Sequence, residues 1–438
     1  MSPTPIPRDI PLPLPANAAF LEVLLVVAFV AHILFVNLMV GGSLLVLGFQ
    51  IRGLREPDYD KLARALASTV TVNKSLAVVL GVAPLLLINV LYTIHFYTAN
   101  ALTGTAWILV IPSVAVTFLL LYLHKYTWDR LASQRRLHIA ILALAVALLM
   151  CIPLVFLANV NLMMFPEQWT SVRGVLGALT LPNVLPRYLH FLSASLILTS
   201  LFGVGYFGGR RFRFEDTFDT FDRVRVRRIF YSVAFAVSLA QFVVGPLVLF
   251  TLPSAGLRTP VVASILMGAT LAAPAVWMIW KELANGSPDG KRLPYIVAYL
   301  SMTVVLMALG RQMYRGLALA QHRADVRAAT EQWTLDAKQA SYDLESGRAR
   351  AAAGVSDAQH LFEGTCGACH GVDKKIVGPP LTEIATIYAN NPSGIVAWAR
   401  APGKKRADFP QMPSQSALGD AKLHTLADYM LQAGRRAD

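Results

Sequence analysis

Long apolar runs separated by short charged segments fill the first 316 residues. A run of about 20 apolar residues crosses a bilayer as a helix, because a helix satisfies its own backbone in hydrocarbon. Eight such runs are legible, at about 18–48, 69–98, 104–126, 138–160, 184–208, 229–252, 259–280 and 293–315. Ahead of them, Pro3 to Pro15 is proline-rich and weakly charged, which predicts an irregular arm. No basic segment precedes the first run, so no cleavable signal peptide is expected. After the eighth run the apolar pattern stops. Residues 316–354 mix alanine with charge, from Arg323 and Asp325 to Asp343 and Glu345, and predict a solvated helix followed by a flexible Ala/Gly stretch. Residues 355–438 are polar enough to fold in water. The expected fold class is all-α: a polytopic bundle of eight transmembrane helices (18–315), flanked by the arm (1–17), the linker (316–354) and a small C-terminal domain (355–438).

Composition agrees. Of 438 residues, 55% are hydrophobic and 15% charged, with a mean hydropathy of +0.51, where soluble chains carry about 25% charged residues. The net charge of +13 would suit nucleic acid, but the excess sits in alternate short loops, so topology accounts for it and no nucleic acid is expected. The 1–2 loop holds Arg52, Arg55, Lys61 and Arg64, and the 3–4 loop Lys125, Arg130, Arg135 and Arg136. The 5–6 loop carries seven arginines between Arg210 and Arg228, and the 7–8 loop Lys281, Lys291 and Arg292. The opposite loops hold only Arg173, Arg187 and Arg258. Basic loops stay in the cytoplasm. Both termini and the C-terminal domain are therefore expected on the periplasmic side of a bacterial cytoplasmic membrane. Trp128 and Tyr97, at run ends, suit the lipid interface. Three cysteines are too few for a disulfide scaffold or a structural zinc cluster, and Cys151 reads as a small buried apolar residue.

The other two cysteines carry the most specific signal. Cys366-Gly-Ala-Cys369-His370 has the C-x-x-C-H spacing of covalent c-type haem attachment. One helical turn sets both thiols against the two vinyl groups, and the next residue presents an imidazole to the iron. Phe362 and Gly364 precede the motif, and Gly378-Pro379-Pro380-Leu381 follows it. Then come Trp398, Phe409-Pro410-Gln411-Met412-Pro413 and an amphipathic terminal helix with Leu423, Leu426, Tyr429 and Met430. On these residues the segment 355–435 resembles the class I cytochromes c, a small all-α fold. The resemblance implies one covalent haem c with His370 and Met412 as axial ligands. It also implies that Pro379 offers its carbonyl to the ligand imidazole. A thioether ligand raises the reduction potential. Met430 is the competing thioether, but it falls on the helix face that packs the core.

Ionisable side chains inside a bilayer are costly and suggest function. The runs contain His32, His95, His124 and His190, with His138 at a boundary. His190 and Met267 each lie about two helical turns in from the outer ends of their runs. They could face one another across one haem, although an apolar Met at such a position is more often core. His32-Ile-Leu-Phe-Val, Trp128-Asp129-Arg130, Leu157-Ala158-Asn159, His190, Leu266-Met267 and Gly310-Arg311-Gln312 occur in that order. With these segments the membrane region resembles subunit I of the cytochrome bd quinol oxidases. The resemblance implies a low-spin haem b on His190 and Met267, and a second haem on His32. Arg311 and Arg187 suit haem propionates, because guanidinium pairs well with carboxylate. His95 would assist His32 or touch a quinone, yet their depths differ by roughly two turns, ~10 Å, which argues against a bis-His pair. His124 and His138 read as interfacial.

The departures from that family matter as much. Where the oxidases place glutamates for haem ligation and proton delivery, this chain has Leu109, Thr117 and Ser301, and the runs contain one carboxylate, Glu22. The long quinol-binding loop is replaced by the short bridge from Leu252 to Pro260. Dioxygen chemistry and the usual quinol site are therefore not carried over. The expected function is electron transfer from quinol, or a membrane partner, through one or two b haems and haem c to a periplasmic redox protein. A second membrane subunit and membrane lipid are the other expected partners. The alternatives are a bd-type terminal oxidase subunit with its own haem c donor, and a haemless anchor that presents cytochrome c in a respiratory complex.

Overall fold

The computed structural model describes residues 14–209, 212–345 and 348–436, and the regular elements among them are helices. They form two compact units that divide at Thr330 and Glu331. The first contains α1 (Ala18–Arg52), α2 (Pro57–Leu91), α3 (Thr93–Thr103), α4 (Thr105–Ile108), α5 (Val110–Tyr126), α6 (Arg135–Met163), α7 (Gly174–Leu179), α8 (Val184–Gly208), α9 (Arg223–Phe250), α10 (Thr259–Ala284) and α11 (Leu293–Ala318). The division falls within α12 (Ala320–Glu345). The second unit contains α13 (Arg348–Thr365), α14 (Leu381–Ile387), α15 (Pro392–Arg400) and α16 (Asp420–Arg436).

Helix ends follow local chemistry. The Asn17 side chain accepts the Ala19 N–H at the start of α1, and Asp222 accepts that of Arg225 at the start of α9. Each such cap is worth about 1 kcal/mol. Pro260 and Pro294 occupy first turns of α10 and α11, where a missing N–H costs nothing. Inside the first unit α1 packs along α2 and α8, α9 lies between α8 and α10, and α11 packs on α10. One apolar core gathers Leu62, Leu66, Phe207, Phe230 and Tyr231 toward the end that carries the basic loops. A second gathers Tyr92, Phe96, Leu162, Met163 and Val261 toward the other end.

Among the described residues, seven helices are long and apolar enough to cross a membrane, or eight if one bent pair counts as a span. That pair corrects the second expected run, 69–98. The helix ends at Leu91, and the chain turns by 110° into α3. Tyr92 at the corner is 2% exposed, within the second core. A break in helical backbone is tolerated at such depth only when protein covers it.

Asp58, in the first turn of α2, is 3% exposed. Its carboxylate accepts the N–H groups of Asp219, Thr220 and Phe221 and the Thr220 hydroxyl. Burial alone would raise its pKa, but these hydrogen bonds outweigh it and hold the carboxyl well below the usual carboxylate range. The 5–6 loop is thereby tied to α2. Glu282 lies in the last turn of α10, two residues past the expected end of its run. It is 1% exposed and accepts the N–H groups of Gly290 and Arg292 and the Arg292 guanidinium. It serves the 7–8 loop as Asp58 serves the 5–6 loop.

In the second unit α16 packs against α13, α14 and α15. Phe362, Leu381, Leu423, Leu426 and Met430 form the core. The Ala/Gly stretch expected to be flexible is helical from Arg348 onward and runs to Thr365. Its alanines, Ala349 and Ala351 to Ala353, are the best helix formers.

Candidate haem sites

The C-x-x-C-H segment continues α13 as helical turns. The Cys366 and Gly367 N–H groups bond to the Phe362 carbonyl, and the His370 N–H bonds to that of Cys366 at 3.0 Å. The chain then doubles back, and the Val377 and Gly378 N–H groups donate to the Cys369 carbonyl at 3.1 and 2.8 Å. This return lays Gly378 against the His370 ring. A Cβ there would stand 2.4 Å from Cε1, so only glycine admits the imidazole. The next residue supplies the restraint: His370 Nδ1–H donates to the Pro379 carbonyl at 2.8 Å. That bond fixes the tautomer and leaves Nε2 as the nitrogen with a free lone pair. Cys366 and Met412 lie partly buried against the same core. Burial raises the Cys366 thiol, and neighbouring Cys369 adds to the shift. Val372, Ile376, Val377 and Ile387 stand exposed in this unit. Two free thiols, an oriented imidazole, a thioether and open apolar side chains fit a covalently attached haem.

The membrane histidines divide by hydrogen bonding. His124 and His138 are 1% and 3% exposed, covered by protein on all sides. Gln50 Nε2 donates to His138 Nδ1 at 2.7 Å, His138 Nε2–H donates to the His124 carbonyl at 2.7 Å, and His124 Nε2–H donates to Gln50 Oε1 at 3.0 Å. The rings stack at 4.1 Å under Trp128. Together with Gln50 the two imidazoles form a hydrogen-bonded strut joining α1, α5 and α6. His32 rests on Gly81, where a Cβ would stand 2.8 Å from Cε1, and donates Nδ1–H to the Ala77 carbonyl at 2.8 Å. Only its Nε2 remains for any other task.

His190 differs from all of these. Its Nδ1 is buried with no hydrogen-bond partner. Its backbone carbonyl accepts Gln241 Nε2, from α9, at 3.0 Å. A buried polar group without a partner costs about 1–3 kcal/mol, so this nitrogen calls for an acceptor close by. Met267, on α10, is 51% exposed, so it fills no protein core. Helix α9 packs against both α8 and α10, which carry His190 and Met267. The Arg311 guanidinium lies 4.4 Å from the Phe29 ring. Arg187, Arg311 and Arg315 stand near enough to repel one another. Among the described residues none of the three has a carboxylate within salt-bridge distance. Such a cluster fits the propionates of a haem.

One pairing escaped sequence reasoning. His95 is 4% exposed, and its Nε2 lies 3.0 Å from Nδ1 of His322 in α12. The Trp169 ring abuts both imidazoles. Burial lowers the His322 pKa, and Asp325 partly opposes it. Beside this pair Gln312 donates to the Tyr92 hydroxyl, and Arg315 and Arg323 flank the Tyr92 ring. Nothing in the charge-rich linker distinguishes His322 from its solvated neighbours.

Residues 355–434 match the family model of cytochrome c. A search of curated proteins finds no match. Among solved structures, the bd oxidase from Geobacillus thermodenitrificans superposes with a TM-score of 0.55 at 13% identity, covering 77% of this chain and 100% of that one. At this identity the likeness shows the fold. The chain therefore joins a helical membrane domain with the fold of a bd oxidase chain to a cytochrome c domain. Covalent haem c belongs to that domain's family.

Proposed function

We propose that this protein carries electrons from quinol, or from a membrane partner, through a haem b in its membrane domain to haem c and on to a periplasmic redox protein. Haem b supplies a one-electron centre within the bilayer, and haem c one outside it. His190 and Met267 hold haem b, with Arg187 and Arg311 on its propionates. His32, with its Nδ1–H held by the Ala77 carbonyl, would hold a second haem. Cys366 and Cys369 attach haem c, and His370 and Met412 ligate it, with Pro379 orienting the imidazole. The basic loops face the cytoplasm, and the arm, the linker and the C-terminal domain face the periplasm. The observation that carries this reading is a cytochrome c domain on the same chain as a bundle in which Arg187, Arg311 and Arg315 gather with no carboxylate among the described residues to pair them. A pyridine haemochrome spectrum of the full-length protein, with quinol as reductant in a parallel sample, tests it. One b per c, reduced by quinol and lost in His190→Ala, is expected. Two b per c would bring in His32. Haem c alone would overturn the proposal in favour of a haemless anchor.

A further inference from the structure

We propose that Gln241 is a positioning residue for the His190 imidazole, accepting the hydrogen bond of its Nδ1–H. This rests on the reading of His190 as a haem b ligand. Gln241 lies in α9 beside Leu239, Phe242 and Val243, which are exposed as lipid-facing side chains are. An amide in such surroundings is costly unless it is hydrogen-bonded. Its Nε2 donates to the His190 carbonyl at 3.0 Å. That bond also fixes which way round the amide lies, since the reverse would set oxygen against oxygen.

Gln241 Oε1 is then left buried without a partner, and so is His190 Nδ1. The two vacancies are complementary. The amide oxygen is an acceptor lacking a donor. The ring nitrogen, once Nε2 faces iron, is an N–H lacking an acceptor. Both belong to residues already joined by one hydrogen bond, so a single buried water or a small side-chain rotation closes the second link. An acceptor on the far nitrogen of a ligating imidazole fixes the ring and raises its basicity. A more basic imidazole favours ferric over ferrous iron and lowers the reduction potential.

The test is a potentiometric titration of the haem b band in full-length protein, with haem c as internal reference. Gln241→Met keeps the volume and removes both hydrogen bonds, so the haem b midpoint is expected to rise. Gln241→Glu gives up the bond to the His190 carbonyl but keeps a stronger acceptor for the ring N–H, so the midpoint is expected to fall. Loss of such a partner in metal sites commonly costs roughly 10–100-fold. A tenfold change in relative ferric and ferrous affinity is about 59 mV for one electron, and a shift of that order is expected. An unmoved midpoint in Gln241→Met overturns the proposal. So does a shift of the same sign in both variants, which marks a packing role. If Gln241→Met does not assemble, Gln241→Glu decides alone: a lowered midpoint supports the proposal, and an unmoved or raised one overturns it. Wild-type protein without haem b overturns both this proposal and the reading of His190. Haem b that is lost in His190→Ala yet indifferent to Gln241 overturns this proposal alone.

Discussion

In the C-terminal unit the His370 imidazole is braced by Gly378 and by the Pro379 carbonyl, nine residues on. In the membrane unit the His190 ring has an unpartnered buried nitrogen, and the residue that bonds its backbone, Gln241, is 51 residues away. The first site is assembled by one loop doubling back on one helix. The second is spread over separate helices and depends on the packing of α9 against α8. A short loop orients a ligand with little loss of chain entropy, because few residues must be ordered to close it. A site inside a bilayer has the helices as its only scaffold, so its neighbours come from distant parts of the chain. Within that bundle, residue type does not separate function from structure. His124, His138 and His190 are all imidazoles on helices long and apolar enough to cross a membrane, and the state of their hydrogen bonds sets His190 apart.

The strongest break of this comparison is at the thioether bonds. Replacing both Cys366 and Cys369 with Ala abolishes covalent haem c, read as loss of haem stain on a denaturing gel, and leaves the haem b spectrum in place. His190→Ala does the reverse, removing haem b while stain at haem c persists. His124→Leu serves as the control there: both haems stay, because that imidazole is a strut. Met412→Leu keeps haem c attached but lowers its midpoint by roughly 0.1–0.3 V, a part of the range of about 0.8 V that axial ligands span. Gln50→Leu leaves ring nitrogens of His124 and His138 without partners, which costs about 3 kcal/mol. It should appear as a lowered midpoint of thermal unfolding in detergent with unchanged haem content.

The smallest effect is a pH dependence. The Asp58 carboxyl has a folded pKa below its unfolded value of about 3.9. Its contribution is therefore complete above that unfolded value and is lost as pH falls toward the folded one. Asp58→Asn should flatten the fall in melting temperature between neutral pH and about pH 3, with a difference of about 1 kcal/mol over that window. Melting curves that fall equally in both proteins would show that Asp58 carries none of it.

Much of the architecture was legible because the physics is local or compositional. Apolar length pointed to the seven helices, or eight with the bent pair, that are long enough to span a membrane, and the C-x-x-C-H spacing to a helical turn at the start of the cytochrome c domain. The 110° corner at Tyr92 was not legible. Residues 69–98 stay apolar through the bend, and apolar composition carries no signal of direction. The burial of His124 and His138 was hidden because their partner, Gln50, sits in a different helix, 74 and 88 residues away. In the sequence Gln241 is one amide in an apolar run. Its meaning lies in the carbonyl it meets on α8, which only the packed structure displays.

The His95–His322 bridge also bears on the making of the protein. The two rings are 227 residues apart in the chain. A ribosome adding about 5–20 residues per second needs roughly 10–50 s to span that distance. During that interval α3 is already made, while the imidazole that will meet its own does not yet exist. The bundle cannot finish closing around His95 until nearly the whole membrane domain has left the ribosome, so its assembly is completed by the last segment synthesised before the cytochrome c domain.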